Sequence, residues 1–304
     1  MSTVNELLDY GKEQLELSGN EYAKYERKVM LEHILGVNYM YMLINGSETV
    51  TPEKEEEYKK LIELRCEHYP LQYIMGEAHF MDYTFFVDEK VLIPRSDTEV
   101  LVETVNELFD MHKGNTSDNG DNADSSNASF NGKDVRVLDL CCGSGCIGIS
   151  LKMYHNNIAL TLSDISKDAL KVTQKNLDKY NITDADVVRS DLFEADYYKD
   201  GTIKYDIIVC NPPYIESEVI DTLMPEVKEH EPHLALDGGE DGLDFYKTIT
   251  GQAVEYMDNN GYLFFEIGYN QGNAVLSLMK NAGFTEVVIK KDYAGMDRVV
   301  YGHL

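Results

Sequence analysis

The chain has 304 residues, with 27 Lys+Arg against 54 Asp+Glu and a formal charge of −27. That balance argues against any partner held mainly through phosphates, and against an extended nucleic-acid interface, because such affinity comes largely from basic side chains replacing counterions. A content of 43% hydrophobic and 27% charged residues excludes collagenous and mostly disordered classes, and the length allows one large domain or two unequal ones.

No apolar run approaches the roughly 20 residues that span a bilayer, and MSTVNELLDYGKEQ lacks the basic start and apolar core of a secretory signal. A cytoplasmic location with no membrane partner is the expectation. The five cysteines include no CxxC pair, so reduced thiols and no metal site are expected.

Residues 1 to about 68 read as helices: Val4, Leu7, Leu8 and Leu15 follow helical spacing around Gly11, and Ala23, Val29, Met30, Leu31, Ile34 and Leu35 form a second amphipathic stretch. A third helix opens at Thr51-Pro52-Glu53, with Thr51 suited to the N-cap, Pro52 to the first helical position and Glu53 to the positive end of the dipole. Between 70 and 95, aromatic and β-branched residues gather around Gly76 and a polar Asp88-Glu89-Lys90 turn, the pattern of a short hairpin joining two domains. Residues 96–112 return to helical periodicity through Leu101, Val105, Leu108 and Phe109. The run from Lys113 to Gly132 is dominated by Asn, Asp, Ser and Gly and has one large apolar residue, Phe130. It buries too little surface to offset its ordering entropy, so a mobile polar insertion is expected over 113–132. Its acidic content forms no calcium loop closed by a Glu.

From Val135 onward strands alternate with helices: VRVLDL, a helix over 144–154, IALTLSDI, a helix over 166–180, ADVVRSDL, YDIIVCN, a helix near 243–258, GYLFFEIG, a helix over 271–282, EVVIKKD and RVVYGH. Continuous apolar strands between amphipathic helices predict a parallel sheet covered on both faces, with ligands at the carboxyl ends of its strands.

The first of these strands ends in Asp139-Leu140-Cys141-Cys142-Gly143-Ser144-Gly145-Cys146-Ile147-Gly148. Gly143 and Gly145 let backbone approach a ligand, and Gly148 lets a helix lie near the sheet. By itself such a turn is only a tight turn. Asp164, ending the second strand, adds a carboxylate able to accept from both ribose hydroxyls, and Asp191 with Leu192, ending the third, adds an acceptor for an adenine amino group and an apolar contact for its ring. NAD and S-adenosylmethionine (SAM) both fit that outline, and the fourth strand decides between them.

That strand runs into Asn211-Pro212-Pro213-Tyr214. The prolines fix φ and remove donors, which leaves the Asn211 side-chain oxygen and the Pro212 carbonyl as acceptors at a rigid rim. Two such acceptors grip the hydrogens of a planar NH2 group, and Tyr214 can pack over the plane that carries it. Glutamine, adenine and cytosine all present that group.

The sequence resembles the PrmC or HemK family, SAM-dependent N5-glutamine methyltransferases that modify peptide chain release factors. The resemblance runs over most of the chain, through Pro70-Leu71-Gln72-Tyr73-Ile74-x-Gly76, Leu92-Ile93-Pro94-Arg95-x-x-Thr98-Glu99, the glycine turn, NPPYI, Glu231-Pro232-x-x-Ala235-Leu236-x-Gly238-Gly239-x-Asp241-Gly242 and Asp292-x-x-Gly295-x-Asp297-Arg298. It implies an α/β, Rossmann-like, seven-stranded SAM-dependent methyltransferase domain with a small N-terminal helical domain, organised as 1–74 helical substrate recognition, 75–94 hairpin linker and 95–304 methyltransferase. It implies SAM binding by Asp139, Cys141, Cys142, Gly143, Ser144, Gly145, Asp164, Asp191, Leu192 and Asn211, with S-adenosylhomocysteine as product. Asn211, Pro212, Pro213 and Tyr214 then bind the glutamine amide of a release factor, with Asn211, Pro212 and Tyr214 catalytic.

Here Cys141-Cys142 replaces the family's usual Gly-Thr, and because cysteine lacks glycine's freedom at positive φ the first residue of the turn is expected to be unstrained. Cys141, Cys142 and Cys146 read as small packing groups, and GGEDGLD over 238–244 as an unrepeated likeness to a calcium repeat. Glu266, and Arg95 with Glu99, are candidate supports of the site or ordinary ion pairs. The runner-up function is a DNA or RNA adenine-N6 methyltransferase, which must flip its base into the pocket.

Overall fold

A computed structural model describes residues 1–114, 134–199, 201 and 203–304. The polar run expected to be mobile falls, from residue 115 onward, outside the described residues. The chain divides into two compact units, Met1–Glu77 with Met224–His230, and Ala78–Leu223 with Glu231–Leu304.

The first unit is helical: α1 Val4–Leu17, α2 Ala23–Leu35, α3 Tyr39–Ile44, α4 Pro52–Cys66 and α5 Leu71–Met75. A reciprocal capping box starts α1, where the Glu6 N–H donates to Thr3 Oγ1 at 3.2 Å and the Thr3 N–H to Glu6 Oε2 at 2.7 Å. Pro52 begins α4 as its spacing predicts, but the Thr51 side chain makes no cap bond. Leu7, Leu15, Met30, Leu31, Tyr58 and Ile62 form the core. Arg65 is buried and would be costly unpaired; its Nε donates to Glu26 Oε2 at 2.7 Å and its Nη2 to Glu26 Oε1 at 3.3 Å, with a further ion pair to Glu226.

The second unit begins with adjacent strands β1 Glu77–Phe80 (its first residue closing the helical unit) and β2 Tyr83–Phe86, turned at Met81-Asp82. The Asp88-Glu89-Lys90 turn is separate, with the Lys90 N–H donating to Asp88 Oδ1 at 3.0 Å. The helix α6, Ser96–Gly114, follows, then β3 Val135–Leu140, α7 Cys146–Tyr154, β4 Ile158–Asp164, α8 Lys167–Lys179, β5 Asp186–Arg189, β6 Tyr205–Cys210, β7 Met257–Glu266, β8 Thr285–Lys291 and β9 Asp297–His303. The sheet order is β5-β4-β3-β6-β7-β9-β8.

In the order β5-β4-β3-β6-β7 the strands are parallel, as expected, and β9 is antiparallel to both of its neighbours, a detail the expectation of a parallel sheet did not include. Only 292–296 separate β8 from β9, far short of the crossover that parallel neighbours need. The helix expected near 243–258 is Asp244–Ala253, because Met257 already pairs with Tyr205 in the sheet.

Alternation along the strands sends residues to two apolar layers. Val135, Val137, Ile207 and Val209 meet α6 and α7 through Val105, Ile147 and Ile149. Leu138, Leu140, Ile208 and Cys210 meet Tyr246, Ile249, Val275 and Met279 from the helices Asp244–Ala253 and Gly272–Asn281. Because the chain winds outward from β3 one way and from β6 the other, the crevice at the carboxyl ends of these two strands is the topological switch point.

Candidate active site

At that crevice lies a cavity of about 320 Å³, walled by Cys141, Cys142, Gly143 and Ser144 after β3, by Asp164, by Asp191 and Leu192, and by Asn211 and Pro213. The volume suits a nucleoside-sized ligand. The remaining predicted residues stand behind this wall: Gly145 caps α7, Pro212 is buried, and Tyr214 packs against the apolar layer beneath.

The turn after β3 is fixed from α8. Thr173 Oγ1 donates to the Gly143 carbonyl at 2.8 Å and Asn176 Nδ2 to the Ser144 carbonyl at 2.8 Å. Neither residue carries a motif signal; both belong to the buried face of α8, and that periodicity is their only trace in the sequence. Asp164 accepts from the Gly143 N–H at 2.9 Å and the Ser166 N–H at 2.8 Å while facing the cavity, and burial raises its pKa against the pull of those bonds.

Cys141 has φ +61°, and Leu192, also on the cavity wall, has φ +46°. The expectation that the first residue of the turn is unstrained is therefore wrong. A non-glycine residue held in the left-handed region costs on the order of 1–3 kcal/mol, and both such residues here wall the same cavity.

Asp139, read from the sequence as a cofactor ligand, does not wall the cavity. It is fully buried on the α6–α7 side of β3 and accepts from the Gly148 N–H at 2.8 Å. A Cβ at Gly148 would lie 3.0 Å from that carboxylate, so glycine permits the close approach. Burial pushes the Asp139 carboxyl up to about 7.

The backbone of the Asn211-to-Ile215 segment is clamped by the stretch that resembles a calcium repeat. The Ile215 N–H donates to the Leu236 carbonyl at 3.0 Å and the Gly238 N–H to the Ile215 carbonyl at 2.8 Å. At Gly238 a Cβ would sit 2.7 Å from Tyr214 Cα, a clash with backbone that excludes any side chain. Gln271 Nε2 closes the clamp, donating to the Tyr214 carbonyl at 2.9 Å and the Gly242 carbonyl at 3.2 Å. Sequence reading missed Gln271, which follows a strand like any loop amide.

Beside Asn211 lies a polar group drawn from three elements, of which Thr98 also walls the cavity. Asn211 Nδ2 donates to Thr98 Oγ1, in the first turn of α6, at 3.4 Å. The Tyr214 hydroxyl donates to Glu266 Oε1, at the end of β7, at 3.4 Å. Glu266 is fully buried; burial pushes its carboxyl up to about 7, while the Thr98 hydroxyl, the Arg298 guanidinium and the Tyr214 hydroxyl pull it down. Arg298 is itself paired with Asp97 at 3.0 Å and Asp292 at 3.1 Å. Arg95 pairs with Glu231 rather than Glu99, and Glu231 Oε2 also accepts from the Ile93 N–H at 3.2 Å. Glu99 Oε1 instead accepts from the Met81 N–H at 2.6 Å.

Among the described residues no cluster of three metal-ligating side chains occurs, and no helix is long and apolar enough to cross a membrane.

Residues 116–292 match the family described as "Methyltransferase small domain", and residues 6–76 match "PrmC N-terminal domain". The chain is 34% identical over 287 residues to a release factor glutamine methyltransferase of Clostridium acetobutylicum, covering 94% of this chain and 93% of that one. It is 37% identical over 276 residues to the protein of that name from Clostridium botulinum, covering 90% of each. The solved hMettl16 catalytic domain, in complex with the MAT2A 3′UTR hairpin 6, superposes on 83% of this chain and 82% of its own with a TM-score of 0.52 at 13% identity, a likeness of fold.

Proposed function

We propose that this chain, which belongs to the release factor glutamine methyltransferase family, transfers a methyl group from SAM to the side-chain amide nitrogen of a glutamine in a peptide chain release factor. It acts in the cytoplasm, in support of translation termination. The observation that carries this reading is the placement of Asn211, at the end of β6, on the wall of the same cavity as the glycine turn and Asp164.

The cavity fits SAM on its own terms. Asp164 faces it as a half-buried carboxylate for the ribose hydroxyls, and beyond the bent turn at Cys141 and Gly143 a Cβ at Gly143 would meet nothing within 4 Å, leaving space for a ligand. Asp191 and Leu192 line the same cavity, and on this reading supply an acceptor for the adenine amino group and an apolar contact for its ring. When bound, SAM supplies an electrophilic methyl and its own leaving group.

The protein's part is placement. An amide nitrogen is a poor nucleophile because its lone pair is delocalised into the carbonyl, and Asn211 is no base. Asn211 Oδ1 and the Pro212 carbonyl accept the two amide hydrogens and hold the nitrogen in line with the methyl. Those bonds strengthen as positive charge develops on nitrogen, and the methylated nitrogen then loses one N–H proton to solvent to give the neutral N-methyl amide. Tyr214, its backbone held by Gly238 and Gln271, packs beside the amide plane. The helical unit supplies recognition of the folded release factor.

Asn211→Ala tests this division of labour. Turnover on release factor falls about 10²-fold or more while SAM affinity stays nearly intact, read by initial rates and titration calorimetry. Turnover that survives the substitution contradicts the assignment.

A further inference from the structure

The side chain of Asn211 can be held either way round, and only one way does the chemistry. With Oδ1 toward the cavity it accepts from a substrate NH2; with Nδ2 there it repels one. Asn211 Nδ2 is engaged, donating at 3.4 Å to Oγ1 of Thr98, its neighbour on the cavity wall, and among the described residues nothing donates to Oδ1. A hydroxyl that accepts there must send its own proton elsewhere. Thr98, buried in the first turn of α6, is near enough to the Glu266 carboxylate for its hydroxyl to pull that acid's pKa down, and Glu266 Oε2 is buried with no hydrogen-bond partner among the described residues, an acceptor left open for the Thr98 proton. The opposite oxygen, Oε1, takes the Tyr214 hydroxyl at 3.4 Å.

We propose that Thr98 and Glu266 are positioning residues that set the polarity of the substrate grip: the Glu266 carboxylate draws the Thr98 proton, Thr98 Oγ1 thereby accepts from Asn211 Nδ2, and Asn211 Oδ1 is left facing the substrate. The inference rests on reading the site as one for an amide NH2 and deepens it. The same carboxylate orients Tyr214, so one buried acid at the end of β7 fixes both side chains of the grip. Glu266 touches neither methyl donor nor amide; it acts through its two neighbours. A buried acid kept for packing alone would be replaceable by an apolar side chain of like length without loss of function.

The test uses the full chain with release factor and SAM, comparing wild type with Thr98→Val, Thr98→Ser, Glu266→Met and Glu266→Gln. The expected result is a fall in kcat of about tenfold or more in Thr98→Val and Glu266→Met, the loss of one oriented hydrogen bond in the transition state. SAM affinity stays within about twofold of wild type, and Glu266→Met keeps its thermal stability. Thr98→Ser, which retains the hydroxyl, and Glu266→Gln, which retains an acceptor, recover most or part of the rate. The side-chain amide resonance of Asn211, identified by its absence in Asn211→Ala, moves in Thr98→Val and Glu266→Met. Turnover in Thr98→Val within about twofold of wild type, or an Asn211 resonance unmoved in both variants, overturns the proposal. A wild type that fails to methylate release factor overturns the reading of the reaction instead, and the two are separable because the resonance reports amide orientation without turnover.

Discussion

At the scale of single residues, Asp164 and Cys141 carry opposite obligations. Asp164 holds the Gly143 and Ser166 N–H groups and still faces the cavity. Asp164→Ala is therefore expected to weaken SAM binding by about 1.5 to 3 kcal/mol, the size of a lost charge-assisted hydrogen bond, and calorimetry that finds unchanged affinity removes Asp164 from the site. Cys141, at φ +61°, stores strain in the same turn. Cys141→Gly releases on the order of 1–3 kcal/mol of it, against about 1 kcal/mol of added chain entropy. A net gain near 1 kcal/mol follows, visible as a higher denaturation midpoint. The acids and the NPPY segment were legible because each ends a strand in an unmistakable pattern. The strain at Cys141 was not, since a residue's φ is imposed by the turn around it and leaves no mark in its identity.

At the scale of elements, the site is a set of strand ends tied down by neighbours that carry no motif. Periodicity placed β3 to β7, but not β9 between β7 and β8, because strand order depends on which partners meet and not on local pattern. The 238–242 stretch read as a stray calcium repeat; its glycines instead let it lie against the backbone of Tyr214, a need visible only once both segments are in space. The junction of β3 with α7 makes a prediction about pH. Asp139 has its pKa raised from 3.8 to about 7 by burial, so its folded form holds a proton that the unfolded chain has released. That contribution to stability is full below 3.8 and is lost as pH rises through about 7. Asp139→Asn keeps an acceptor for the Gly148 N–H and cannot ionise. Its melting temperature relative to wild type should climb across that interval and level off above it, and a difference that stays flat with pH contradicts the burial argument.

At the scale of the whole molecule, two compact units share one chain that passes between them more than once, since Met224–His230, downstream of the NPPY segment, belongs with the N-terminal helices. The Arg65–Glu226 pair, inside that helical unit, ties this return segment to α4. Sequence patterning showed the helical character of the first 68 residues, but the membership of 224–230 lies in contacts between residues far apart in the chain, such as Arg65 with Glu226 and Tyr69 with His230, which no local window contains. A charge of −27 sets the sign of the partner question, favouring a protein substrate over a long nucleic-acid groove. The most direct measurement incubates the full chain with labelled SAM and, separately, release factor, unmethylated DNA and RNA, and maps the product by tandem mass spectrometry. The account predicts one added methyl on a release-factor glutamine side chain and none on the nucleic acids; methyl on adenine, with none on release factor, would contradict it.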